Sequence, residues 1–210
     1  MRFANRQDAG RQLAEALQKY RNSDAVVYAL PRGGVVLGYE VARALNIPLD
    51  IVVARKIGHP LESEYAICAV NENGDVVCNE SEKRAVNKDW LDKAIDSERQ
   101  EARRRREVYL AGTSHIPAKD RVALVIDDGI ATGLTVRVAV IGLKKEEPKK
   151  IIVAVPVASS GVKETLSRDT DEVIILEEED SIGAVGAYYD DFPQVTDEEV
   201  VNLLKESRLH

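Results

Sequence analysis

The residues with the most chemistry in them are Asp127 and Asp128. They close an apolar run, Val122-Ala123-Leu124-Val125-Ile126, and precede Gly129-Ile130-Ala131-Thr132-Gly133-Leu134-Thr135. Such a run reads as a buried strand, so the two carboxylates stand at its C-terminal edge, where open α/β sheets bind ligands. The loop that follows is rich in small and hydroxyl residues and leads into a helix. Its backbone N–H groups, with the helix N-terminus, can wrap a phosphate. Gly129 and Gly133 permit tight turns, and Thr132 and Thr135 add hydroxyl donors. The acids repel a phosphate but accept hydrogen bonds from sugar hydroxyls. A ligand with a diol at one end and a phosphate at the other satisfies both halves: ribose 5-phosphate.

Two further segments carry cations beside strand ends. Pro31-Arg32-Gly33-Gly34 follows the apolar run 25–30, and its glycine N–H groups and guanidinium can face an anion, although a plain turn needs no ligand. Arg55-Lys56 closes a second apolar run, 50–54; taken alone it reads as surface charge. In the tail, Tyr188, Tyr189 and Phe192 can either stack on a flat ligand or pack the tail onto the body, with Asp190 and Asp191 between them. The one basic run, Arg103 to Arg106, is flanked by Glu98, Glu101 and Glu107, and reads as a solvated helix face.

The elements that must position these residues alternate. Helical spacing covers 8–20, with Asp8 as N-cap, then 35–45, 134–145 and 161–167; short apolar runs at 25–30, 50–54, 122–126, 151–157 and 173–176 read as strands. Asn73-Gly74 between apolar runs signals a hairpin. A single long helix is expected over 82–110, and a capping box, Thr196 with Glu199, opens a last helix. Alternation of this kind argues for an open, mainly parallel twisted sheet with helices on both faces. We expect one domain over 1–210, with a helical insertion at about 80–117 and a C-terminal hood at about 181–210.

The 210 residues carry a net charge of −7, with 44% hydrophobic and 31% charged residues. The acidic balance disfavours nucleic-acid binding. Cys68 and Cys78 are expected as reduced, buried thiols. The segment 1–10 has no apolar signal core, and no run nears the ~18 apolar residues of a membrane span, so a cytoplasmic protein is expected. The histidines, His59, His115 and His210, are too scattered for a His-based metal site.

The stretch 122–135 resembles the PRPP-binding signature of type I phosphoribosyltransferases (PRPP is 5-phosphoribosyl-1-pyrophosphate). The segment from Arg32 to Pro60 resembles the matching part of adenine phosphoribosyltransferases, with one extra residue in the pyrophosphate loop. Over nearly the full length the chain resembles a bacterial and archaeal group of predicted phosphoribosyltransferases. The resemblance implies that Asp127 and Asp128 hold the ribose hydroxyls and support the charge that develops on the sugar. It implies that Gly129, Ile130, Ala131, Thr132, Gly133, Leu134 and Thr135 cradle the 5-phosphate, and that Arg32, Gly33, Gly34, Arg55 and Lys56 meet the pyrophosphate. The segment after Lys56 corresponds to the family's flexible loop, with Glu62, Glu64 and Tyr65 as possible functional side chains. Tyr188, Tyr189 and Phe192 would form the acceptor hood, and Asp190 or Asp191 would reach magnesium brought in on PRPP. The implied activity is transfer of ribose 5-phosphate to an acceptor, a nucleobase by expectation, in nucleotide salvage. The alternative is a PRPP sensor of the same fold without turnover. Ala131 stands where 6-oxopurine enzymes have aspartate and matches adenine- and xanthine-type enzymes, whereas Val185-Gly186 followed by Asp190 resembles the hood of hypoxanthine enzymes; the base stays open. The helical arm is expected to serve a homodimer through Trp90.

Overall fold

A computed structural model describes residues 2–209, except the side chain of Glu64. The chain opens with α1 (Arg6–Ala16), β1 (Val26–Ala29), α2 (Gly33–Leu45) and β2 (Leu49–Ile51). Next come β3 (Ala54–His59), β4 (Glu62–Asn71), β5 (Val76–Cys78), α3 (Glu80–Ala85) and α4 (Lys88–Tyr109). The remainder is β6 (Val122–Ile126), α5 (Leu134–Lys144), β7 (Lys150–Ser159), α6 (Val162–Leu166), β8 (Glu172–Glu179) and α7 (Asp197–Ser207).

The main sheet is parallel, in the order β2-β1-β6-β7-β8. Its strands are apolar runs because both faces are covered. Val27, Ala29, Leu124 and Ile126 face one core layer with α1, α2 and α7; Val26, Tyr28, Ala123 and Val125 face the other with α5 and α6. Each fully buried Leu or Ile there contributes about 1.5–3 kcal/mol. The order reverses direction between β1 and β6, whose last residues, Ala29 and Ile126, lie side by side. The loops leaving these two strands therefore open into the crevice that such a switch point creates. Among the described residues no helix is long and apolar enough to cross a membrane.

The run 50–54 is not one strand. β2 stops at Ile51, and the chain crosses to a second, antiparallel sheet in the order β3-β4-β5, so Arg55 and Lys56 stand on β3. This small sheet is packed between α5, through Val138 against Ala69 and Val77, and α4, through Leu91 against Ile57, Ile67 and Val70. Trp90 is half-buried on that same cluster, so its ring is used within the chain. The Asn73-Gly74 turn joins β4 to β5 as the sequence suggests, with Gly74 at φ +95°. Cys68 and Cys78 then pair directly across the ladder, Cα atoms 4.0 Å apart, and form a disulfide. The expectation of reduced thiols is thus corrected by the hairpin register.

The long helix over 82–110 is two helices. Val86, in an extended conformation, ends the first, and Asn87 caps the second, its side chain accepting the Trp90 N–H. The cap of α1 is likewise Asn5 and not Asp8: Asn5 accepts the Asp8 N–H while Asp8 accepts the Ala4 N–H. The capping box of Thr196 and Glu199 is formed. The basic run is less solvated than its charges imply. Arg104 and Arg105 grip Glu101, but Arg106 donates to the Glu72 carboxylate at 2.6 Å and Arg103 to the Glu72 carbonyl at 2.9 Å, pinning the hairpin.

His115 ties the segment after α4 to the sheet. Its Nδ1 lies 2.8 Å from Asp50 and its Nε2 3.0 Å from Glu146, and these two carboxylates raise its pKa from 6.5 to about 9. A raised folded-state pKa stabilises the fold fully below about pH 6.5 and loses that contribution as pH climbs through about 9. With the ring about a third exposed, the contribution is on the order of 1–2 kcal/mol after solvent screening. His115→Gln should therefore melt several degrees below the unsubstituted protein at pH 6.5, and the gap should close by pH 10; a pH-independent gap in thermal melts would remove the ion pairs as its cause.

Candidate functional site

Asp127 and Asp128 leave β6 into the crevice, and the Pro31–Gly34 turn that leaves β1 presses on them. The Pro31–Arg32 peptide is cis, and α2 begins at Gly33. A Cβ on Gly33 would fall 1.9 Å from Asp128 Oδ2, and one on Gly34 would fall 2.9 Å from the Ile126 carbonyl oxygen and 3.2 Å from Asp127 Oδ1. Glycine is what allows the two loops to touch. The structure thus brings Gly33 and Gly34 together with the acidic pair.

The pair is held from several sides. Asp128 donates its N–H to Asp127 Oδ1 at 2.8 Å. Arg6, on the first turn of α1, donates from Nε to Asp128 Oδ2 at 2.9 Å, and the Tyr189 hydroxyl donates to the Asp128 carbonyl at 2.6 Å. Burial, then the neighbouring Asp128 charge, pushes the Asp127 carboxyl well above the usual carboxylate range. Burial also raises Asp128, against the opposing pull of Arg6. Two adjacent buried acids with one guanidinium on them suit hydroxyl partners and repel a phosphate.

On the other side of the pair the loop turns over β7. Ile130 is buried and pairs with that strand, its N–H donating to the Val157 carbonyl at 2.9 Å and its carbonyl accepting from Ser159 at 3.0 Å. Gly129 lies against Val185, Ala131 and Thr132 are exposed, and Gly133, at φ +80°, starts α5. Leu134 and Thr135 form its first turn. N–H groups there have no helical carbonyl to meet, and the dipole favours an anion in front of them.

The other candidate cations are engaged with carboxylates. Arg32 lies 3.6 Å from Asp197 of α7, and Arg55 donates to Glu98 of α4 at 2.7 Å. Exposed or half-exposed pairs like these are worth at most about 1 kcal/mol, so exchange for a bidentate phosphate contact is cheap. Lys56 is exposed on β3. The segment beyond it is the β3–β4 hairpin with Leu61 exposed at its tip; Glu62 is exposed, Tyr65 donates to Glu82 of α3 at 3.3 Å, and the Glu64 side chain lies outside the described residues.

The hood is bound to the N-terminal segment. Phe3 donates its N–H to the Tyr188 carbonyl, and Asp190 and Asp191 donate theirs to Phe3 and Ala4. Tyr189 is buried between Phe3 and Phe192, ring centroids 5.5 and 4.7 Å away. Phe192 lies under the Arg6 guanidinium at 3.5 Å. These two rings therefore pack the tail onto the body, while Tyr188 is half-buried. Asp190 is exposed and pairs with Arg2 at 3.1 Å. Among the described residues no group of three or more His, Cys, Asp or Glu could hold a metal. That donor set fits Mg²⁺ only in the mode it commonly adopts, on substrate phosphates with one or two carboxylates.

Arg6 escapes a reading of motifs because it acts across a long stretch of chain and sits in no distinctive local pattern; Val185, read only as part of the hood pattern, lies against Gly129 of the loop. Two clefts, of about 400 and 390 Å³, open elsewhere; neither is lined by the acidic pair or its loops.

The phosphoribosyl transferase domain model matches residues 4–193. Two Mycobacterium tuberculosis proteins assigned by name as phosphoribosyl transferases, MT0597 and Rv0571c, are 38% identical over 204 residues, 96% of this chain. The chain spans 46% of the length of each. The crystal structure of TT1426 from Thermus thermophilus superposes with a TM-score of 0.80 at 41% identity, over 98% of this chain and 99% of that one.

Proposed function

The chain belongs to the phosphoribosyl transferase family, and on that premise we propose that its crevice binds PRPP and passes the ribose 5-phosphate to a nucleobase, as in nucleotide salvage. The observation that carries this reading is the direct contact of the Gly33-Gly34 turn with the acidic pair, with the phosphate loop leaving the same pair on its other side. Those three parts match the three parts of PRPP: pyrophosphate, ribose diol and 5-phosphate.

In the proposed reaction a ring nitrogen of the base attacks ribose C1 as the C1–O bond to pyrophosphate breaks, with inversion. The bonding pair leaves with pyrophosphate, and the base gives up its ring proton to solvent. Asp127 and Asp128 accept hydrogen bonds from the ribose hydroxyls and face the cationic sugar of the transition state. Ile130 pins the loop to β7 through its own N–H, and residues 131–135 hold the 5-phosphate through backbone N–H groups and the Thr132 and Thr135 hydroxyls. Arg32, Arg55 and Lys56 receive the pyrophosphate, and the β3–β4 hairpin excludes water that would otherwise capture the sugar. Magnesium carried on PRPP would offset charge on the leaving pyrophosphate, with Asp190 and Asp191 the carboxylates proposed to reach it. Tyr188, half-buried and outside the packed pair of Tyr189 and Phe192, is the hood ring proposed to stack on the base.

The test follows pyrophosphate release from PRPP and magnesium with adenine, guanine, hypoxanthine, xanthine, uracil and orotate in turn. Release that depends on one base is the expected result and names the acceptor. Stabilisation by PRPP without release under any base would replace the transferase with a sensor; no stabilisation would end both readings.

A further inference from the structure

Arg6 belongs to no motif, yet it joins the acidic pair to the tail. It is 7% exposed. Nε donates to Asp128 Oδ2 at 2.9 Å, Nη1 donates to the Pro193 carbonyl at 2.7 Å, and the flat face of the guanidinium covers Phe192 at 3.5 Å. Phe192 packs on Tyr189, and Tyr189 returns to the Asp128 carbonyl. The contacts close a ring that runs Asp128, Arg6, Phe192, Tyr189 and back to Asp128.

A purely structural arginine at the start of a helix would need none of this. One edge would serve to hold a tail carbonyl, and a carboxylate from any element would serve as counter-ion. Here the counter-ion is a member of the acidic pair itself, and it is engaged through one oxygen, Oδ2. A guanidinium can donate along two edges and stack through its face at once; an ammonium has no such plane.

We propose that Arg6 is a positioning residue for transfer: it fixes the Asp128 carboxylate for the ribose hydroxyl and ties it to the hood, so that both halves of the site are set by one side chain. This rests on the transferase reading.

The experiment is a double-mutant cycle on PRPP affinity, measured by calorimetry with magnesium on the full chain. It uses the unsubstituted protein, Arg6→Gln, Asp128→Asn and the pair combined, with Arg6→Lys as the variant that keeps the charge and secures a folded comparison. Each single substitution of the cycle should weaken PRPP by roughly 10- to 100-fold, and the combined variant should be within about threefold of Asp128→Asn, because a residue acting through Asp128 has nothing left to position. Arg6→Lys should recover part of the affinity. Additive losses, or Arg6→Gln with unaltered affinity, would overturn the positioning role while leaving the transferase reading intact. An unsubstituted protein that binds no PRPP overturns that reading first, and this role with it.

Discussion

Asp127→Asn should lower pyrophosphate release by about 10²–10³-fold while the melting temperature at pH 7 stays unchanged or rises. The two outcomes have one cause. Burial and the Asp128 charge raise the Asp127 pKa above its unfolded value. The folded chain therefore holds that proton more tightly than the unfolded chain, which stabilises the fold at acid pH; the contribution is lost as pH rises from the unfolded pKa near 3.9 towards the folded one. The same desolvation makes ionisation of Asp127 costly in the folded chain. Asparagine has the same shape, keeps an oxygen for the Asp128 N–H, and carries no charge. It loses the carboxylate that would face a cationic sugar. Melts and initial rates on the same preparation check the claim. A marked fall in melting temperature with rates retained would show Asp127 to be a packing residue.

The second large effect is expected from one added methyl group. Gly33→Ala would place Cβ 1.9 Å from Asp128 Oδ2 and 2.9 Å from Arg6 Nε. The backbone cannot retreat, because Gly34 behind it already lies against the Ile126 carbonyl. Relief must come from Asp128, which would have to leave Arg6. Overpacking of this kind costs about 1–3 kcal/mol, and a displacement near 1 Å at a reacting centre costs on the order of 10²-fold in rate. We expect a lowered melting temperature and loss of PRPP-dependent stabilisation. Gly183→Ala, where a Cβ meets nothing within 4 Å, serves as the silent control. Unaltered stabilisation by PRPP in Gly33→Ala would show that the turn and the acidic pair do not act on the ligand together.

What the sequence conveys follows from how locally each feature is encoded. The strand that ends in Asp127-Asp128, the loop to Thr135 and the turn at Gly33-Gly34 are contiguous, and a short stretch carries everything needed to read them. The crevice between them also follows, since alternating strands and helices imply a sheet with a switch point. The second sheet does not follow. Val52 still donates to the Ala29 carbonyl as if β2 continued, and no local signal marks where the chain departs, so Arg55 and Lys56 read as the end of a parallel strand. Two other departures do carry a local signal. Asn87 interrupts an apparently continuous helix as an N-cap. The cysteines each lie five residues from Asn73, so the register centred on that residue sets them opposite one another. Arg6 has no such signal, because its partners lie 122 and 187 positions away.

That separation bears on how the protein is made. All five strands of the main sheet are complete by Glu179, so a nascent chain that has emerged as far as that residue holds every strand of the β1–β6 crevice and its two glycine-bearing loops. Its Asp128 would still lack Tyr189, and Arg6 would still lack Pro193 and Phe192. Synthesis thus runs in an order that separates assembly of the sheet from completion of the pocket: the polypeptide acquires a scaffold first and a closed ring around its acidic pair only when the hood has emerged from the exit tunnel.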